Sequence, residues 1–536
     1  MVRTVPRVME AQQQTGSWPV VSSRRAKCSL VTLVAGYLAS AVVAGAPNSP
    51  LTVLLPSGVQ PPSWASTLAR VSGLDHVGRK ALIGVAWVVL LVVLAAFATV
   101  VREALRHRIR LVDVLIASGV SLAIAVAAPL LLSRDVYTYA AYGRIHALYH
   151  RNPYVVPLWS FRNDPFIAVA SAQWRHQHSF YGPVFTLLSS VIARTWKDSP
   201  ATTILAFKVL SGVAVASATA LVALTAARIR PERAALAVVL IGLNPVIVIH
   251  TVGGAHIDAL IAAPLAAAMA LAVCRPRSLS FAAIGVTALL VGACLLKTVM
   301  APALVLWIWW LVRTDRSRRS PILFVHLAVV AGLVLASVRP FVAGSRTLAA
   351  VASLGGQEQW ASPSQLVGRA AHAFFGALAG DTVGAVAATV VRLAFLLLFV
   401  LLLWRVSRRL TPDNPTALAS AWGTALLLLP LCMPYFLPWY AAWFVPFLAI
   451  ISDDVLVVAG VVVSAALALT LVPADPFHGY STPGVMNGVH FGAASVLLVV
   501  LIVVVGRLFG SSLGQRRWAT SPAPGSEHEV ETVSRA

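Results

Sequence analysis

The stretch Ser133-Arg134-Asp135-Val136-Tyr137-Thr138-Tyr139 follows directly on a long apolar run, so the carboxylate of Asp135 stands where the chain leaves an apolar environment. A carboxylate at such an edge is costly to bury and easy to hydrate. It is either a snorkelling surface charge or a group held over the interface for chemistry. A second polar cluster follows Asn244-Pro245: His250, Gly253-Gly254, His256 and Asp258. Pro and paired Gly interrupt two apolar segments where they meet, and the freed backbone groups must line a cavity or pack against protein. His256 and Asp258 are two apart and would not share a helical face, which weakens a literal His-Asp dyad.

Lys297 lies at the end of another apolar run, and Arg339-Pro340 stands similarly after a later one. Each alone reads as a snorkelling cation. Together with His256 they are suited to a lipid-linked phosphate. Residues 136–150 have helical character and carry Tyr137, Tyr139, Tyr142, Arg144 and His146, before Arg151-Asn152-Pro153-Tyr154 breaks the segment. Further on come Asp164, Trp174, His176, His178 and Tyr181-Gly182-Pro183. The His176/His178 pair is too weak to argue a metal site. Trp439 and Tyr440, with Trp443 one helical turn beyond Tyr440, offer aromatic surface of the kind that stacks on sugars or an isoprenoid. An interfacial aromatic belt is the plainer reading of all these rings.

These groups must be held by membrane helices. Of 536 residues 58% are hydrophobic and only 11% charged, and the mean hydropathy is +0.82. That is more apolar surface than a soluble core of this size carries. The net charge of +22 is dispersed in short clusters between apolar windows, so it signals topology and not nucleic acid. Cys28, Cys274, Cys294 and Cys432 show no ligand spacing and read as packing residues.

Holding Arg102/Arg106/Arg108/Arg110, Arg228/Arg230/Arg233, Arg275/Arg277, Arg313/Arg316/Arg318/Arg319 and Arg405/Arg408/Arg409 on the cytoplasmic side fixes an alternation. The expected spans are 28–46, 81–101, 112–132, 201–227, 234–251, 258–274, 278–296, 299–313, 321–338, 383–404, 416–434, 437–452, 455–472 and 489–507. The fold expected is thus an all-α polytopic bundle of about 13–14 transmembrane helices, each near the ~20 residues that cross a bilayer. The short apolar stretch 183–195 must not cross, and reads as an interfacial or re-entrant helix in the long outer loop. Outer loops are expected at 133–200, 339–382 and 473–488, so function faces outward. Residues 1–27 are expected as a cytoplasmic tail before an uncleaved first span, 28–507 as the membrane domain, and 508–536 as a disordered cytoplasmic tail.

The order of Ser133–Gly143, Asn152-Pro153-Tyr154, Tyr181-Gly182-Pro183, Asn244-Pro245, His250 through Leu260, Lys297 and Pro438-Trp439-Tyr440 resembles that in actinobacterial polyprenol-phosphomannose-dependent α-(1→6)-mannosyltransferases of the MptA/MptB type. The resemblance covers about residues 30–505. It departs from the family pattern at Tyr142, Asn152 and Ile257, where Gln, Asp and Asn are common, so the chain resembles a divergent member. The resemblance implies a GT-C glycosyltransferase of the plasma membrane that moves mannose from a polyprenyl-phosphate-mannose donor to a glycan or glycolipid acceptor of the cell envelope, without a metal or cofactor. It places Asp135 at the position of the catalytic base, and implies inversion at the anomeric carbon. Arg134, His256, Asp258, Lys297 and Arg339 are then expected around the donor phosphate and sugar. Tyr137, Arg144, Asn152, Tyr154, Tyr181, Trp439 and Tyr440 are expected to contact acceptor or sugar. The main rival is a transporter or flippase for a lipid-linked sugar, which would bring inverted repeats and mid-span ionisable groups. No convincing repeat is present in the sequence.

Overall fold

The computed structural model describes residues 21–342, 361–411, 414–451, 453–470, 472 and 483–518. Parts of the expected loops 339–382 and 473–488, and most of both expected tails, lie outside these residues. Among the described residues the fold is helical, with no strand beyond one isolated bridge between Thr52 and Leu131. Among the described residues, six helices are long and apolar enough to cross a membrane: Arg24–Ala44, Arg79–Leu105, Pro200–Ile229, Arg316–Phe341, Asp381–Arg408 and Asn487–Gly510.

A seventh expected span is bent. Pro231–Gly242 and Val246–Val252 meet at 40°, because Pro245 removes a backbone donor and the chain continues as a π-helical turn. Asn244 caps that break, its Oδ1 accepting from the Val246 amide and its Nδ2 donating to Ser464. Six of the shorter apolar helices, such as Asp258–Ala272 and Phe281–Leu296, coincide with further expected spans. The expected span 437–452 is corrected. Its helical part is the turn Pro438–Tyr440 followed by Ala441–Leu448, eight buried residues about 12 Å long, far short of a ~30 Å hydrocarbon layer. The helix Pro483–Trp518 also runs past 508, where a disordered tail was expected to begin.

The basic loops gather at one end of the bundle. His107 reaches the Glu232 carbonyl at 3.1 Å, Arg233 pairs with Asp454 at 2.5 Å, Arg313 donates to the Ser407 carbonyl, and Arg507 pairs with Asp453 at 2.8 Å. The helices Asp135–Ala147 and Pro183–Thr195 pack on each other. At 13 residues each they are about 20 Å long, too short to cross. Gly143 makes their contact possible, since a Cβ there would sit 2.3 Å from the Ser189 carbonyl oxygen. The Ser189 hydroxyl donates to the Tyr139 carbonyl in the same contact.

Candidate active site

Three backbone breaks deliver the polar groups to one place. Asp135 is the first residue of Asp135–Ala147, where the helix dipole favours a negative charge. The segment before it is strained: Leu132 has φ +63°, and the Leu131 and Leu132 amides donate to the Gly253 and Leu51 carbonyls. In the second break Ala255 has φ +57° beside His256. A Cβ on Gly254 would meet the His250 carbonyl at 2.4 Å and the His256 ring at 2.9 Å, so only glycine fits. Such left-handed backbone at non-glycine residues costs of the order of 1–3 kcal/mol and concentrates at functional sites. The third break is the end of Phe281–Leu296, where Lys297 leaves the helix in extended conformation.

His256 is buried, stacked on Trp439 with ring centroids 3.5 Å apart. Its Nδ1 lies 3.1 Å from the Tyr139 hydroxyl and 3.8 Å from Asp135 Oδ2. Its Nε2 is buried and has no partner among the described residues. Asp258 points elsewhere. Its Oδ1 accepts from Lys297 Nζ at 3.0 Å and from Trp443 Nε1 at 2.7 Å, while Oδ2 is buried without a described partner. Lys297 Nζ also lies over the faces of Tyr440 and Trp443, at 4.2 and 4.9 Å from their centroids. The expected doubt about a His-Asp dyad is therefore resolved in space: residues 256 and 258 diverge, His256 towards Asp135 and Asp258 towards Lys297.

Asp135 is only 13% exposed. Burial pushes its carboxyl up to about 7; Lys297 pulls it down, Asp258 pushes it up, and hydrogen bonds from Trp174 and Ser133 pull it down again. A carboxyl titrating near neutrality beside a buried imidazole and a lysine is equipped to take up a proton at working pH. Among the described residues no group of three His, Cys, Asp or Glu side chains converges as metal ligands.

The chain matches the model of the MptA/MptB family, described as alpha-(1→6)-mannopyranosyltransferase, N-terminal domain, over residues 33–313. It belongs to that family. No curated protein and no solved structure matches this mannosyltransferase. The matched region holds Asp135, His256, Asp258 and Lys297, whereas the aromatic wall of Trp439, Tyr440 and Trp443 comes from beyond it.

Other expected site residues of this mannosyltransferase stand around the cluster and not in it. Tyr181 packs edge-on against Tyr139, 5.2 Å between centroids, and braces the hydroxyl that meets His256. Tyr137 donates to the Leu54 carbonyl, Arg144 pairs with Asp164 at 2.6 Å, Asn152 donates to the Phe341 carbonyl, and Tyr154 donates to the Tyr181 carbonyl. Their polar groups are thus committed to holding residues 133–200 in place against the helices around them. Arg134 is buried and donates to the Val169 carbonyl. Arg339 is exposed at the end of Arg319–Val338, and none of the described contacts joins it to Lys297 or His256. Trp443 was read only as aromatic surface beside Tyr440, and sequence reasoning passed over Tyr139 and Trp174 as site residues. For Tyr139 a signal existed, since it lies one helical turn after Asp135 and so on the same face.

Proposed function

We propose that the protein transfers mannose from a polyprenyl-phosphate-mannose donor to a cell-envelope lipoglycan on the outer side of the plasma membrane, with inversion and with Asp135 as general base. The observation that carries this reading is the Asp135 carboxyl itself: partly exposed, raised to about 7, and 3.8 Å from His256. An acceptor hydroxyl is a poor nucleophile until its proton has somewhere to go. Its oxygen attacks the anomeric carbon, the bond from that carbon to the phosphate oxygen breaks, and the proton passes to Asp135. The electron pair leaves with polyprenyl phosphate.

The leaving phosphate gains charge as the bond breaks, and a preorganised cation lowers the cost. Lys297 serves that role in this reading, held in place by Asp258 and the Tyr440 and Trp443 faces. His256 Nε2, buried and unpaired among the described residues, is available to a sugar or phosphate oxygen. The gathering of the basic loops at the bundle's other end supports an outward site under the positive-inside rule.

The test is Asp135→Asn in membranes supplied with radiolabelled polyprenyl-phosphate mannose and candidate lipoglycan acceptors. Loss of a positioned base lowers transfer by roughly 10²–10⁴-fold with membrane insertion intact. Undiminished transfer by that variant removes Asp135 from the base role.

A further inference from the structure

The helix Pro200–Ile229 faces both of the backbone breaks that deliver Asp135 and His256. Ser211 donates its hydroxyl to the His256 carbonyl at 3.3 Å. Phe207 packs against the Tyr139 ring, with 6.2 Å between centroids. Gly212 brings the backbones close: a Cβ there would meet the Val126 side chain at 2.6 Å and that of Val252 at 3.8 Å. Val126 belongs to the helix Leu111–Ala127 before the first break, and Val252 ends the π-helical turn before the second.

Lys208 shares a face with Ser211, one helical turn nearer Pro200. It is 2% exposed and stands about 12 Å along the axis from the start of its span. An ionisable side chain inside a span is costly to hold, and its partners show what it does there. Here the partners are backbone. The Lys208 Nζ donates to the carbonyls of Ala128 and Pro129, the latter at 3.1 Å. The helix Leu111–Ala127 stops at this point, and Pro129 has no amide with which to continue it. Leu131 and Leu132 follow, bound through their amides to the Gly253 and Leu51 carbonyls, and then Asp135. Lys208 thus fixes the strained segment at its root, and Asp135 stands at its far end.

We propose that Lys208 is a positioning residue: together with Ser211 it fixes residues 128–135 against the turn that carries His256, and so sets the 3.8 Å between Asp135 and His256. The part this distance plays in transfer rests on the reading of Asp135 as base. Lys208 acts on the reaction only through that segment. Arginine keeps several N–H donors for the two carbonyls, whereas methionine keeps the length of the side chain and none of its donors. A cavity of 290 Å³ adjoins Lys208 between Pro62, Pro129 and Leu205 and gives a guanidinium room.

The full-length wild type, Lys208→Met, Lys208→Arg and Asp135→Asn are compared in two measurements. One is transfer from radiolabelled polyprenyl-phosphate mannose, expressed per folded molecule; the other is hydrogen exchange of peptides covering residues 128–135. Lys208→Met is expected to lower kcat roughly 100-fold, as a displacement of about 1 Å at a reacting group does, with the donor KM unchanged. It also speeds exchange of the Leu131 and Leu132 amides by about tenfold, while peptides from Phe281–Leu296 exchange as in the wild type. Lys208→Arg restores both. A wild-type kcat in Lys208→Met, unchanged exchange at 128–135, or an arginine variant no better than methionine overturns the proposal. Normal transfer by Asp135→Asn instead removes the base reading, and exchange still decides whether Lys208 holds the segment. If Lys208→Met does not fold, Lys208→Gln, with its N–H donors on a shorter arm, carries the same comparison against arginine.

Discussion

Lys297 and Asp258 are 39 residues apart in the chain and 3.0 Å apart in space, the ammonium donating to a carboxylate that also accepts from the Trp443 indole. The lysine therefore does not reach into the site as a lone cation. It is fixed by its own counter-ion and by two aromatic faces, and Asp135 is the carboxylate that has no such lysine bound to it. Two carboxylates in one site are thus placed in different environments, one holding a cation and one placed to exchange a proton.

Removing one member of this pair should cost far more than removing both. Lys297→Met leaves Asp258 buried with only Trp443, and breaking a buried pair this way costs about 3–5 kcal/mol. Lys297→Met/Asp258→Leu is expected to recover much of that stability, while transfer stays lost in both. Unfolding midpoints in detergent for the two single variants and the double give the coupling. Additive losses would show that the pair is energetically independent.

The pH dependence of transfer follows from Asp135. Its carboxyl titrates at about 7 in the folded protein, so the base form is populated above that pH. Transfer with saturating donor is expected to rise tenfold per pH unit below about 7 and level off above it. Stability moves the opposite way. The folded carboxyl holds its proton more tightly than the ordinary value of 3.8, so this stabilising contribution is full below about 3.8 and is lost as pH rises through about 7. Asp135→Asn removes both slopes. A transfer profile flat from pH 5.5 to 8.5 would contradict the base assignment.

Much of this was legible in the chain. Long uninterrupted apolar windows such as 81–101 and 383–404 emerged as helices because nothing in them competes with helix formation. The segment 437–452 has the hydrophobicity of a span, yet it folds as the turn Pro438–Tyr440 and the eight-residue helix Ala441–Leu448, and tertiary burial, not lipid, accounts for its apolar residues. Asp135, His256, Asp258, Lys297, Trp439 and Tyr440 were all singled out from sequence, and the structure brings them together. Their pairing was not legible. Spacing gives no sign that Lys297 belongs to Asp258 and His256 to Tyr139, since those contacts depend on how three broken helices meet. The polar side chains of Tyr137, Arg144, Asn152 and Tyr154 looked equally chemical in sequence, yet each finds a protein partner 20 or more residues away.

Tyr139 links the helix that begins at Asp135 to the His256 imidazole. Tyr139→Phe deletes the hydroxyl 3.1 Å from His256 Nδ1 while keeping the ring against Tyr181 and Phe185. The expected loss of stability is small, about 0.5–1.5 kcal/mol for one hydrogen bond. Transfer should fall more than stability does, because His256 loses one of the contacts that orient it. Tyr139→Leu, which also removes the ring, should lower the unfolding midpoint further. If Tyr139→Phe transfers at the wild-type rate, the hydroxyl has no part in positioning His256.

Gly182 is where the segment 133–200 is locked to the backbone just before Lys297. Its amide donates to the Leu296 carbonyl at 3.0 Å, and a Cβ there would fall 1.9 Å from the Leu295 carbonyl oxygen. That obstacle is backbone, so Gly182→Ala must push the end of Phe281–Leu296 away, and Lys297 with it. The packing cost is about 1–3 kcal/mol. The catalytic cost is larger, since a displacement of about 1 Å at a reacting group can lower rate by roughly 100-fold. Gly292→Ala supplies the contrast on the same helix. A Cβ there meets nothing within 4 Å, and alanine in a helix interior is favoured over glycine by about 0.5–1 kcal/mol, so stability and transfer should be kept or slightly improved. Equal transfer by the two variants would show that the junction at Gly182 does not position Lys297.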